Sequence, residues 1–366
     1  MSLLDGLSKI GRGNTPAFTL KIDGIDITAK VDKRLISLTL TDNRGFEADQ
    51  LDLELDDSDG KLTLPRRGVS IAVSLGWKNA VLTDKGTFTV DEIEHSGAPD
   101  RLTIRARSTD FRETMNVQRD ASYHGKTLGD IVKAIAARNK LTPAASDNMA
   151  AIEIGHIDQT NESDGSFLTR LAKENGAIVA VKKGNLLFFK QGQNKTISGK
   201  SIPKVTITRA LGDSHQFSLT DREAYTGVVA NWLNTRTAEK EQVKVKRKRK
   251  KVTNAKSAAE EKQGEYLIGS DENVLVLRHT YASKYNAQRA AKANWEQLQR
   301  GVATFSIQLA HGRADLYPET PVTVSGFKKE IDEANWTLAT VTHTLNGNGF
   351  TTALDLEVKI DELEME

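Results

Sequence analysis

The sequence predicts a mainly β protein with α+β insertions, in which two similar β units carry smaller mixed units. Three observations carry that prediction. Apolar and polar residues alternate in short runs over roughly the first 110 residues and again near the C-terminus, the mark of strands with one buried face. Three stretches between those regions switch to helical spacing. Two segments far apart in the chain also resemble each other.

Taken in order, Phe18, Leu20 and Ile22 share one parity. So do Ile36, Leu38 and Leu40; Leu51, Leu53 and Leu55; and Val69, Ile71, Val73 and Leu75. Phe88 and Val90 follow, then Leu102, Ile104 and Ala106. Turn residues separate the runs: Asp42-Asn43-Arg44-Gly45, Asp57-Ser58-Asp59-Gly60 and Ser96-Gly97-Ala98-Pro99. Strands this short and this many suggest a barrel or a sandwich over residues 1–110. Residues 111–200 read as a small α+β unit. Thr127 can cap a helix with Leu128, Ile131, Val132, Ile135 and Ala136 on one face. A second helix starts near Ser163 or Asp164, carries Phe167, Leu168, Leu171 and Ala172, and stops at Asn175-Gly176. A hairpin of Ala177–Val181 and Asn185–Lys190 follows.

Residues 201–300 return to strand character at Val205, Ile207 and 224–234, and residues 301–366 complete the second β unit. Between them, residues 236–264 show no apolar periodicity and read as a charged, solvated loop or a long hairpin with a mobile tip. A helix over 283–299 presents Ala287, Ala290, Ala291, Trp295 and Leu298. The closing strands are expected at 304–310, 322–326, 337–343 and 352–358.

The internal resemblance pairs TFTVDEIEHS at 87–96 with NWTLATVTHT at 335–344. Phe88 aligns with Trp336, Val90 with Leu338, Ile93 with Val341 and His95 with His343. An apolar strand precedes each copy and an alternating strand follows each. A chain built this way carries two similar ring-forming units. Three such chains would present six quasi-equivalent positions, a geometry suited to joining three-fold and six-fold structures.

The bulk numbers exclude several classes. The chain has 366 residues, 38% hydrophobic and 27% charged, and reads as soluble and globular with two to four domains. There is no cysteine, which removes disulfides, thiolate nucleophiles and sulfur-held metals. No stretch nears the roughly 18–20 apolar residues of a membrane helix, and Met1 to Thr15 lacks the apolar core of a signal peptide. Folding in a cytoplasm is therefore expected. A net charge of +2 argues against a dedicated nucleic-acid binder. The basic excess is local: Lys244, Lys246, Arg247, Lys248, Arg249, Lys250 and Lys251 give seven cations in eight residues. That run is a candidate contact arm for DNA or an acidic protein surface, or a solvated arm that protects a strand edge. The seven histidines lack metal-site spacing. Asp56, Asp57 and Asp59 before Gly60 fail the calcium-loop pattern and read as a turn. No catalytic, cofactor or metal residues are assigned.

The stretch Gln159-Thr160-Asn161-Glu162-Ser163-Asp164-Gly165-Ser166-Phe167-Leu168-Thr169-Arg170-Leu171-Ala172 is similar to a known pattern, as is Glu174-Asn175-Gly176-Ala177 with Leu186-Leu187-Phe188. It resembles the phage late-control D family of contractile-tail hub proteins and the N-terminal part of type VI secretion spike proteins. The resemblance spans about residues 16–360, with Gln159, Glu162, Ser163, Asp164, Phe167, Leu171 and Gly176 as its structural motif. It implies two β-barrel tube domains and a homotrimeric hub in the virion tail baseplate, assembled in the host bacterial cytoplasm. The hub would surround a channel and contact a spike protein, the tail tube protein, the tape-measure C-terminal end and other baseplate proteins. DNA would pass it transiently, and the chain itself would not insert into a membrane. Type VI spike proteins continue into a long β-helix, whereas this chain ends at Glu366, so the spike is expected to be a separate polypeptide. A tail-associated cell-wall hydrolase and a DNA-binding regulator are the alternatives from other classes.

Overall fold

The computed structural model describes residues 15–108, 114–182, 184–192, 196, 199–219, 225, 227–234, 237–246, 274–300, 303–358 and 364–365. The architecture is mainly β with α+β insertions. The first half comprises β1 (Pro16–Ile22), β2 (Ile25–Asp26), α1 (Thr28–Asp32), β3 (Leu35–Asp42), β4 (Gln50–Asp56), β5 (Ser70–Trp77), β6 (Thr83–Ser96) and β7 (Arg101–Ser108). Its core is the alternating set read from sequence: Leu20, Leu38, Leu40, Leu51, Phe88 and Ala106 are all buried.

The first insertion holds β8 (Gln118–Thr127), α2 (Leu128–Arg138), β9 (Thr142–Ala145), α3 (Asp147–Ala150), β10 (Glu153–Ser163), α4 (Asp164–Asn175), β11 (Ala177–Lys182) and β12 (Asn185–Lys190). Thr127 and Asp130 form a reciprocal capping box on α2. The apolar faces of α2 and α4 meet β11 and β12 in a core of their own. β8, β9 and β10 add strands where sequence shows only helices and one hairpin.

The chain then returns through β13 (Val205–Thr208) and β14 (Gly212–Leu219). A second insertion holds β15 (Gly227–Asn234), β16 (Glu239–Lys246), β17 (Val274–Tyr281) and α5 (Lys284–Arg300). The second half closes with β18 (Ala303–Leu309), β19 (Pro321–Ser325), α6 (Lys329–Asp332), β20 (Trp336–Asn346) and β21 (Gly349–Val358); β22 (Glu364–Met365) pairs with β16. The strands expected from 201–235 therefore divide. β13 and β14 enter the main sheet, whereas β15 belongs to a separate four-stranded sheet under α5. Part of the segment read as a charged loop, 236–264, is strand. Val243 and Val245 of β16 are buried against Trp295, and that two-residue alternation is hidden in sequence by the cations around it.

The main sheet has thirteen strands in the order β14-β18-β21-β20-β3-β4-β7-β6-β5-β1-β2, with β13 and β19 beside that path. The central hairpins of its two halves repeat residue for residue, whereas the outer strands differ: β1 lies antiparallel on β5 and β13 lies parallel on β19. Phe88 lies opposite Ile71 and Ser108; Trp336 lies opposite Val322 and Val358. Val90 pairs Ala106 and Ile93 pairs Ile104, just as Leu338 pairs Leu356 and Val341 pairs Leu354, and each hairpin has a register shift between those pairs. A second shift also recurs, between Leu35 and Ser37 on β4 and between Gly212 and Ser214 on β18. The halves are joined by β20 on β3, antiparallel from Val341↔Asp42 to Asn346↔Ser37.

Candidate functional site

The motif residues converge on one buried carboxylate. A register shift in β10 between Gln159 and Glu162 turns the chain toward the start of α4. Ser163 caps that helix, its Oγ accepting from the Ser166 amide at 3.1 Å. Asp164, in the first turn, has no exposed surface. Its carboxylate accepts from Asn139 Nδ2 at 2.8 Å and Gln159 Nε2 at 2.9 Å, and faces Arg138 at 2.7 Å and Arg119 at 3.7 Å. The positive end of α4 adds to this attraction. Gln159 also donates to the Glu162 carbonyl, and Arg138 donates to the Gln159 side chain and to Tyr123. On the outer side, Arg170 donates to Glu162 at 2.8 Å, and that carboxylate raises the guanidinium above its ordinary value.

The remaining motif residues are structural in a different sense. Phe167 and Leu171 are fully buried in the α4 core. Gly176 ends the helix at φ +61, and a Cβ there would sit 3.3 Å from Glu296 and 3.4 Å from Ala293 of α5. The left-handed turn favours glycine, and the missing side chain also eases the approach of α5. The seven motif residues thus fix how β10 enters α4 and how α4 leaves against α5. They supply no reactive group in a cleft.

Of the basic run, Lys244 is exposed on β16 opposite Val229, and the Lys246 backbone pairs with Gly227. Arg247, Lys248, Arg249, Lys250 and Lys251 lie outside the described residues. Among the described residues, no group of three or more His, Asp or Glu side chains is placed to hold a metal ion, and no helix is long and apolar enough to cross a membrane.

A second polar cluster, missed by sequence reasoning, sits at the junction of the two halves. Lys85 of β6 is buried and donates to Asp42 at 2.9 Å and to the Leu316 carbonyl at 3.1 Å, with its ammonium 4.0 Å from the centre of the Tyr317 ring. Burial pushes the Asp42 carboxyl up and the Lys85 ammonium down, while each holds the other toward its charged form. His343 is fully buried beside them, with Nδ1 3.0 Å from Thr352 Oγ1. Burial and then the Lys85 charge push its pKa down to about 2. Arg44 reaches across to Glu319 at 2.7 Å and Glu357 at 2.6 Å, and Trp77 donates to the Gly312 carbonyl while stacking on His311. The sequence signal was present for one member only: His343 ends the aligned repeat. Asp42 and Arg44 read as turn residues, and nothing local marks Lys85.

Comparison with known proteins agrees with this organisation. The probable baseplate hub protein of Escherichia phage 186 is 55% identical over 372 residues, covering 97% of this chain and 96% of the relative. A tail protein from Neisseria meningitidis MC58 shares the fold at a TM-score of 0.68 and 16% identity, covering 94% of this chain and 96% of that one. The E. coli c3393 protein, described as a component of the type VI secretion system, shares it at 0.52 and 13% identity, over 94% and 77% of the two chains. The family model described as phage tail baseplate hub (GPD) matches residues 45–349, and the chain belongs to that family of virion tail proteins.

Proposed function

We propose that three copies of this baseplate hub protein form a ring that joins a six-fold tail tube to a three-fold, membrane-piercing spike around a central channel. The observation that carries the proposal is the repeated register of the two halves, including both shared shifts. Each chain offers two near-equivalent sheet units, so three chains offer six. Such a ring can match six tube subunits on one side and three spike chains on the other. The Lys85 contact with the Leu316 carbonyl and the Arg44 contacts hold the two units at a fixed angle, which a closed ring requires. The partners are the spike, the tail tube, the end of the tape measure and neighbouring baseplate proteins, with DNA passing through. The motif network and the charged arm serve placement and contact.

Mass photometry of the full chain, alone and with a candidate spike protein, tests the ring. A trimer is expected at least when the spike is present. A monomer or a hexamer under every condition, spike included, overturns the proposal.

A further inference from the structure

Several edges of the main sheet have no strand beside them among the described residues, and two of them match each other. One is the outer edge of β14, which begins the strand order. The other is the outer edge of β6 beyond Val90. β5 covers β6 from Thr83 to Thr89, and Val69 accepts the Val90 amide; Ile93 to Ser96 then pair only with β7.

The second half shows what such an edge does. β19 covers β20 at Trp336 and Thr337, and Thr320 accepts the Leu338 amide. That geometry reproduces β5 on β6. Beyond it, from Val341 onward, the same outer edge of β20 is occupied by β3. β3 in turn has a counterpart. It lies on β4 with a register shift after Leu35, while β14 lies on β18 with a register shift after Gly212. β14 therefore occupies in the second half the place β3 holds in the first. One junction, β20 to β3, is made within the chain. The matching junction, β6 to β14, is not made there, because the two strands stand far apart in the sheet order.

We infer that β14 of one copy adds antiparallel to β6 of a second copy, in the register that β3 takes on β20. Transferring that register residue by residue places Ile93 opposite Leu219, Glu94 opposite Ser218, His95 opposite Phe217 and Ser96 opposite Gln216. Main-chain hydrogen bonds supply the attraction, as in other strand additions. The edges are otherwise open templates for pairing. Glu94, His95, Ser96 and Gln216 are exposed in the single chain. His95 and Phe217 correspond to His343 and Leu40, which face each other across the internal junction and are fully buried. The contact uses different surfaces on the two copies, so it is heterologous and closes only as a ring. β6 ends at Ser96, whereas β20 runs to Asn346, so the junction between copies is shorter than the internal one. The number of copies rests on the trimeric reading above; the strand partners and their register do not.

The chain has no cysteine, so introduced thiols report without background. Glu94→Cys and Ser218→Cys are made in separate full-length chains, mixed, coexpressed with the candidate spike and oxidised. Directly opposed side chains lie within disulfide reach. Disulfide-linked dimers are expected from the mixture and from neither variant alone. Glu94→Cys mixed with Ser214→Cys, four residues along the strand, should give none. Circular dichroism of each variant confirms that the chain folds. An oligomer of the expected mass that crosslinks only through Ser214→Cys, or not at all, overturns the strand register and leaves the trimer standing. Failure to form any oligomer by mass overturns both.

Discussion

Asp164 and Ser163 are neighbours, and their side chains do unequal work. Ser163 provides one cap hydrogen bond, whose loss costs about 1 kcal/mol. Asp164 is a fully buried charge faced by two guanidinium groups and two amides. Removing it strands the buried Asn139 and Gln159 amides, at about 1–3 kcal/mol each, while the partly exposed guanidinium groups turn to solvent. Asp164→Ala should therefore lower denaturant stability several times more than Ser163→Ala; equal effects would show that the network is peripheral. Position 319 gives a second unequal pair. Gly68 and Glu319 occupy matching places before β5 and β19, each donating its amide across the hairpin, and both have positive φ, +84 and +68. The second half accepts a strained glutamate there because its carboxylate reaches Arg44. His343 carries a pH signature. Its folded pKa is depressed, so below about 6.5 the unfolded chain takes up a proton that the folded chain refuses. Stability contributed by the neutral histidine is complete above that pH and is lost as pH falls, by up to about 1.4 kcal/mol per pH unit. The stability gap between the wild type and His343→Gln should shrink on acidification from pH 7 to pH 5; a gap constant across that range would remove the assignment.

At the scale of elements, what sequence showed depended on how one-sided the burial is. β4 reads directly because Leu51, Leu53 and Leu55 are buried while Asp52 and Glu54 on the other face stay partly exposed. α4 reads directly because a serine cap, an apolar stripe and a left-handed glycine agree. β8 and β10 were not legible, since they pair with each other and bury few side chains. The motif was visible as a pattern, but its partner Arg119 lies on β8 and Arg138 on α2, brought in by the fold. β16 was hidden by charge. The cation run therefore has two physical parts. Replacing Lys246 to Lys251 with Gly and Ser should leave the thermal transition unchanged, since six consecutive cations repel one another and offer little to pack. Assembly could still weaken in a salt-dependent way, because exposed charges are screened over about 8–10 Å. Val245→Ala, two methyl groups lost from a fully buried site under Trp295, should cost about 2 kcal/mol. A large loss from the first change, or none from the second, would reverse this division.

For the whole molecule, the question is whether two matched halves behave as one body. Phe88 and Trp336 lie in different core clusters, each about 1% exposed and at the same place in its hairpin, but the Phe88 cluster also takes in Ala314, Leu345 and Phe350 of the second half. If only the β20–β3 strand pairing joined them, the weaker half could unfold alone. Three polar and aromatic ties also cross the joint: Lys85 to the Leu316 carbonyl and the Tyr317 ring, Arg44 to Glu319 and Glu357, and Trp77 to Gly312 and His311. Arg44 is largely buried against carboxylates of the other half, and Leu345 and Phe350 each contribute about 1.5–3 kcal/mol by burying their side chains in the first core. That coupling is comparable to the gain from a buried aromatic ring, and it should keep the halves cooperative. Phe88→Ala and Trp336→Ala should each cost about 3–5 kcal/mol and shift one common transition, whichever half is damaged. Arg44→Ala and Trp77→Ala should instead broaden it, because each removes a contact made across the joint while leaving Phe88 and Trp336 in place. Differential scanning calorimetry of the four variants decides between these outcomes. A split transition in Trp336→Ala with the joint intact would mean that the halves are independent modules, and that a ring of such chains draws its rigidity from contacts between copies.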